Sequence, residues 1–171
     1  MADINIVLVE PEIPQNTGNI ARTCDCTSAA LHIVKPMGFA IDDKKLKRAG
    51  LDYWWDLEIH YYDSLAEFME RHGDKPLCFF TTKSDYIFSD HDFKEGEAWL
   101  VFGKESRGLP EDLLCKNEAR TMRIPMRGDK RSLNLSNSVA IAVFEVLRQR
   151  GYAGMRSEGE RIRMLNSIIG E

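Results

Sequence analysis

Ile124-Pro125-Met126-Arg127-Gly128-Asp129-Lys130-Arg131-Ser132-Leu133-Asn134-Leu135-Ser136-Asn137-Ser138-Val139 sets a polar, loop-forming run directly against the start of an apolar helix. Ser132, Asn134, Ser136 and Asn137 carry side-chain acceptors suited to the orphan amides of a helix N-terminus. Beyond them, Ala140 to Leu147 repeats apolar residues at helical spacing, which predicts a helix over 135–150. Such an N-terminus carries a partial positive charge and favours carboxylate or phosphate oxygens. Taken alone, the pattern is explained by ordinary capping.

Two further segments share its form. Leu100-Val101-Phe102-Gly103-Lys104-Glu105-Ser106-Arg107-Gly108-Leu109-Pro110 reads as a strand that stops at a glycine and opens into a charged loop. Asn16-Thr17-Gly18-Asn19-Ile20-Ala21-Arg22 follows a strand-like run, through the turn-prone Pro11 to Pro14, and leads into a helix predicted over 20–27. Asn16 or Thr17 is placed to cap that helix.

Around these segments, strand-like runs at 4–9, 31–34, 58–62, 77–81, 98–102 and 121–124 alternate with helical stretches at 20–27, 44–50, 64–72, 111–117 and 135–150. Ser64 and Glu67 have capping-box spacing. The alternation predicts an α/β fold with a mostly parallel sheet and helices on both faces. Ligands of such sheets bind outside the carboxyl ends of the strands, where Gly103 and the Ile124 to Asn134 loop are expected to emerge, so the motifs converge. No G-x-G-x-x-G follows the first strand and no Walker loop is present, which disfavours nicotinamide and P-loop chemistry.

At 171 residues, 43% hydrophobic and 29% charged, the chain reads as a single domain over 1–171 with a real core. No apolar run approaches a membrane span, so no membrane partner is expected. Met1-Ala2-Asp3 leads straight toward the first strand without a leader pattern, which gives cytoplasmic location as the default. Cys24, Cys26, Cys78 and Cys115 read as reduced and structural. Cys24 and Cys26 stand too close for common zinc-ligand spacing, and no metal is expected.

The net charge of −4 is against binding nucleic acid by overall charge. Local basic clusters offset it: Lys44, Lys45, Lys47 and Arg48; Arg127, Lys130 and Arg131; Arg148 and Arg150. The segment 153–171 forms a tail in which Ile162, Leu165, Ile168 and Ile169 suit one apolar helical face.

The three loops, together with Asn5 to Asn19, Lys35-Pro36-Met37-Gly38-Phe39 and Leu46 to Tyr53, resemble the motifs of the SPOUT superfamily of RNA methyltransferases over about residues 4 to 152. The branch is that of small, single-domain tRNA (cytidine/uridine) 2′-O-methyltransferases acting at the wobble position. The resemblance implies a deep C-terminal trefoil knot, a homodimer whose sites are completed by the neighbouring subunit, and a tRNA anticodon stem-loop as partner, with leucine tRNAs the expected substrates. It implies S-adenosylmethionine held without a metal, its adenine among Phe80, Thr81, Gly103, Ile124, Met126 and Leu133. Ser132 and Asn134 hold polar parts of the cofactor or the target ribose, and Glu105, counted with the cofactor residues, also helps position the substrate side.

By the same resemblance Arg22, Asn16, Ser132 and Asn134 are the catalytic set, and Asn16, Arg22, Arg127, Lys130, Arg131 and Tyr152 meet the RNA. Relatives' use of the Arg22 position is described as general base or as phosphate-linked activator. A guanidinium pKa above about 12 leaves almost no neutral base, so orientation through a phosphate is the physically favoured role. Trp54 and Trp55 are candidates for stacking on bases or for packing. Two other readings remain: a SPOUT enzyme acting on another tRNA or rRNA position, and an inactive knotted RNA-binding module.

Overall fold

A computed structural model describes residues 3–39, 54, 56–128, 132–156 and 158–159. The helix predicted at 44–50, the Lys44 to Arg48 cluster, the Leu46 to Tyr53 motif, Trp55, Lys130, Arg131 and the apolar tail helix lie outside the described residues.

Among the described residues six strands form one parallel sheet: β1 (Ile4–Val9), β2 (Ala30–Val34), β3 (Ile59–Tyr62), β4 (Leu77–Phe80), β5 (Ala98–Phe102) and β6 (Thr121–Met122), in the order β3-β2-β1-β5-β4-β6. Every pairing is parallel. The central strands read as unbroken apolar runs because both faces are covered, and all residues of β1, β2 and β5 are buried. β4 and β6 stop one and two residues before the sequence suggests. Thr81 and Arg123 still bond across, to the carbonyls of Met122 and Tyr86, as the backbone leaves the ladder.

Helices α1 (Pro14–Thr27) and α4 (Leu135–Gln149) cover one face. Ile20, Ala21 and Cys24 of α1 and Val139, Val143 and Val146 of α4 interleave there with Ile6, Leu8, Leu31 and Leu100. Burying each large aliphatic contributes roughly 1.5–3 kcal/mol. The opposite face carries α2 (Leu65–His72) and α3 (Glu111–Lys116), whose Phe68, Leu113 and Leu114 pack on Val7, Phe79, Trp99 and Val101. Helices thus lie on both faces, as the alternation predicts.

Helix α1 begins six residues before the sequence suggests. Pro14 occupies the first turn, where a missing N–H costs nothing, and the expected caps Asn16 and Thr17 are buried inside the helix. The N-cap residue, Ile13, offers no side-chain acceptor; the preceding turn is capped by a carboxylate 92 positions away, that of Glu105. Helix α2 follows its local code: Ser64 Oγ accepts from the Glu67 amide, and Glu67 returns to the amide of Asp63.

Cys24 and Cys78 are buried, and burial pushes their thiols up to about 12. Cys26 and Cys115 are exposed, so a structural role fails for those two, which ride the outer faces of their helices. Trp54 belongs to the core and is no stacking surface. Among the described residues no helix is long and apolar enough to cross a membrane.

Candidate active site

The loops that follow β1, β4, β5 and β6 surround a cleft of about 530 Å³ at the carboxyl ends of the strands. Phe80, Thr81, Gly103, Glu105, Ile124, Met126, Ser132, Leu133 and Asn134, the nine residues expected at the cofactor, all line it, as does Asn16. Its size suits a nucleoside-sized ligand, and its lining mixes apolar side chains with polar and charged ones in about equal measure.

The close approach at Gly103 is made by its own loop. A Cβ there would overlap the Gly108 carbonyl and the Leu109 amide. Lys104 and Gly108 bridge across this tight loop, and Gly108 takes φ +71°, a left-handed conformation that glycine adopts without strain.

A hydrogen-bond relay crosses one wall. Glu105 Oε2 accepts from the Glu12 amide at 2.8 Å, and its Oε1 accepts from the Ile13 amide at 3.2 Å and from Asn16 Nδ2 at 2.9 Å. Asn134 Nδ2 donates to Asn16 Oδ1 at 2.9 Å. Asn134 Oδ1 then accepts from the Ser136 amide, the Ser136 hydroxyl and the Asn137 amide, capping α4. An ionised carboxylate only accepts, so the orientation of each amide is dictated in turn, from Glu105 through Asn16 to the helix N-terminus. Three motif loops are locked together, and the Ser132 and Leu133 side of the cleft is referred to the same frame.

Arg22 and Tyr152 stand apart. Arg22 is exposed on α1, six residues beyond Asn16 and about 9 Å farther along the axis, and does not line the cleft. Tyr152 sits at a left-handed turn after α4, with φ +55°, half exposed and also outside the cleft. Arg127 is exposed beside Met126. Arg148 and Arg150 both have partners within the chain. Arg148 forks onto Glu145 within α4, and Arg150 donates to the Phe93 and Gly96 carbonyls, which fastens the acidic 85–97 segment to α4.

Sequence reasoning missed Ile13, Lys83, Leu109 and Ser138 in the lining. Lys83 pairs with Glu111 across the rim. Its only signal was position, three residues beyond a strand end. Among the described residues there is no group of three or more His, Cys, Asp or Glu arranged to hold a metal ion.

Residues 3–144 match the SpoU rRNA Methylase family. The chain belongs to that family. A tRNA (cytidine(34)-2'-O)-methyltransferase of Burkholderia ambifaria is 48% identical over 154 residues, 88% of this chain and 97% of the relative. A solved structure described by 2-OH methylation of C/U34 on tRNA superposes with TM-score 0.80 and 41% identity, covering 87% of this chain and 97% of that one. The SpoU methyltransferase AviRb of Streptomyces viridochromogenes, in complex with the cofactor AdoMet, superposes with TM-score 0.74 and 25% identity, over 89% of this chain and 58% of that one. The fold expected from the motifs is the fold of these SpoU family structures.

Proposed function

We propose that this SpoU family member methylates the ribose 2′-hydroxyl of the wobble nucleotide of tRNA, cytidine or modified uridine, using S-adenosylmethionine. The observation that carries the reading is the Glu105–Asn16–Asn134 relay on the wall of a nucleoside-sized cleft, in a chain that shares nearly its whole length with C34 2′-O-methyltransferases. The residues present fit the cofactor. Phe80, Leu109, Ile124, Met126 and Leu133 offer an apolar bed for adenine, and Ser132 and the cleft-facing polar groups suit its charged end. When bound, the sulfonium supplies an electrophilic methyl group.

The protein's own task is then to hold the ribose oxygen in line and to exclude water. In the displacement an O–C bond forms as the S–C bond breaks, leaving a neutral thioether, and the hydroxyl proton must pass to an acceptor. Arg22 orients this oxygen through an RNA phosphate rather than deprotonating it, since its guanidinium stays charged. Arg127, Lys130 and Arg131 meet the anticodon backbone, and Tyr152 the target nucleotide.

Arg22 and Tyr152 lie outside the cleft of their own chain, and α4 exposes Ile141 and Phe144. Both facts support a homodimer in which these residues complete the partner's cleft. A knotted path for the chain around the cofactor, cytoplasmic location and preference for leucine tRNAs belong to the same reading.

The test is tritiated methyl transfer from S-adenosylmethionine to total tRNA, with nuclease mapping of the product, for the wild type, Arg22→Ala and Asn134→Ala. We expect an alkali-resistant dinucleotide at position 34 and a fall of about 100-fold or more in both variants. Absence of incorporation by the wild type overturns the reading.

A further inference from the structure

Three carboxylates join the turn before α1 to the loop after β5, and they run in both directions. Glu105 reaches from the loop to the turn, as described. Glu12 reaches back: its Oε2 accepts the Ser106 amide at 2.9 Å and its Oε1 accepts the Ser106 hydroxyl at 2.8 Å. Glu10 pairs with Lys104. Glu12 itself does not line the cleft, whereas Ser106 does.

The Glu12 end of this clasp is fixed from behind. Gly38 donates its amide to the Pro11 carbonyl at 2.9 Å, and a Cβ at Gly38 would lie 2.8 Å from Glu12 Cα. The Ser106 end needs fixing. Residues 105–107 form a turn in which Glu105 is half-buried and Ser106 and Arg107 are exposed, the kind of segment that opens readily. The Ser106 N–H belongs to the planar peptide that joins it to Glu105, so holding that N–H sets the plane from which the Glu105 side chain departs. The Ser106 hydroxyl and amide also keep the Glu12 carboxyl below its ordinary value, so the acceptor is charged at neutral pH.

We propose that Glu12 and Ser106 are positioning residues for methyl transfer: their two-bond clasp holds Glu105, and through it Asn16 and Asn134, in the geometry of the reacting state. The inference rests on the methyltransferase reading above and adds to it two residues that act through Glu105.

The test compares Ser106→Ala, Glu12→Gln, the double variant and Ser106→Thr. Measured are kcat and KM on tRNA and the dissociation constant of S-adenosylmethionine by calorimetry. We expect each disrupting single variant to lower kcat about tenfold, with cofactor affinity within about threefold of wild type. The double variant falls no further than the singles, and Ser106→Thr, which restores the hydroxyl, recovers most of the rate. Wild-type kcat in both singles, losses that multiply in the double, or failure of threonine to rescue overturns the proposal. If Glu12→Gln does not fold, the alanine and threonine pair at Ser106 decides it. Should the wild type transfer no methyl to tRNA, the methyltransferase reading fails, and the clasp is judged by amide hydrogen exchange at Glu12, Ile13 and Ser106. About tenfold faster exchange in Ser106→Ala supports the clasp, and unchanged exchange overturns it.

Discussion

Two polar networks sit on one sheet and do opposite things. Toward the amino ends of β1 and β5, His32 lies between Asn5 Oδ1 at 3.1 Å and the Tyr62 hydroxyl at 2.8 Å, and that hydroxyl also meets His72 Nε2 at 3.0 Å. Trp99 and Phe68 enclose the cluster, with the His32 and Trp99 rings 4.8 Å apart. At the carboxyl ends, Glu105, Asn16 and Asn134 make an equally ordered relay beside an open cleft. The chemistry of the groups is similar; their access to a ligand differs. A polar network closed off by aromatic rings makes most of its bonds internally and serves stability, whereas one facing a cleft can present ordered groups to a substrate.

The assignment of protons in the buried network is self-consistent. If His32 Nε2–H donates to the Asn5 oxygen, its Nδ1 accepts from Tyr62, and Tyr62 in turn accepts from His72. The proton-free His72 Nδ1 is then left over, one of two buried side-chain polar atoms without a hydrogen-bond partner among the described residues.

The comparison breaks most visibly at Gly103. Gly103→Ala forces the 103–108 loop apart, and cofactor affinity, measured by calorimetry, should fall by about 100-fold or more while the buried network keeps the fold intact. An affinity unchanged by the added methyl group would mean that the tight loop does not shape the cleft.

The converse substitution is His32→Ala. It opens a cavity beside Trp99 and removes one hydrogen bond each from Asn5 and Tyr62, at a cost of about 3–4 kcal/mol. Thermal unfolding should shift down by about 10 °C, with kcat per folded molecule at 25 °C unchanged. A fall in kcat without a fall in Tm would place the histidine in the functional machinery.

Acid sharpens the contrast further. Burial, with His60 and His72 nearby, pushes His32 down to about 3. Its folded-state value is therefore below the unfolded one of about 6.5. Below that unfolded value the unfolded chain takes up a proton that the native state refuses. Stability present above about pH 6.5 is thus lost as pH falls toward about 3, at up to about 1.4 kcal/mol per pH unit. Wild-type Tm should drop by about 5 °C between pH 7 and 5, and His32→Ala should flatten that slope. An equal slope in the variant would assign the acid sensitivity to other groups.

Much of this architecture was legible from residue order. The unbroken apolar runs of β1, β2 and β5, the spacing of α4 and the Ser64 cap are local codes, and each element formed within a few residues of its expected bounds. That the loops gather at the carboxyl ends of the strands follows from the α/β pattern, whereas the particular residues of the cleft wall came from the resemblance to SPOUT motifs. The start of α1 was not, since Asn16, Gly18 and Asn19 carry loop propensities and the capping carboxylate comes from Glu105, far along the chain. Arg150 read as surface charge because its acceptors are backbone carbonyls of a distant loop, which no residue type announces.

The sequence by itself determined the parallel α/β class and the three loops, because periodicity and turn chemistry act over a few residues, and its likeness to SPOUT motifs supplied the groups expected in the cleft. Only the tertiary structure decided how those groups are joined: which carboxylate caps which turn, which polar cluster is shut away, and that Arg22 and Tyr152 stand outside their own chain's cleft. Hydrogen bonds between residues about 90 positions apart depend on chain crossings that no local pattern encodes.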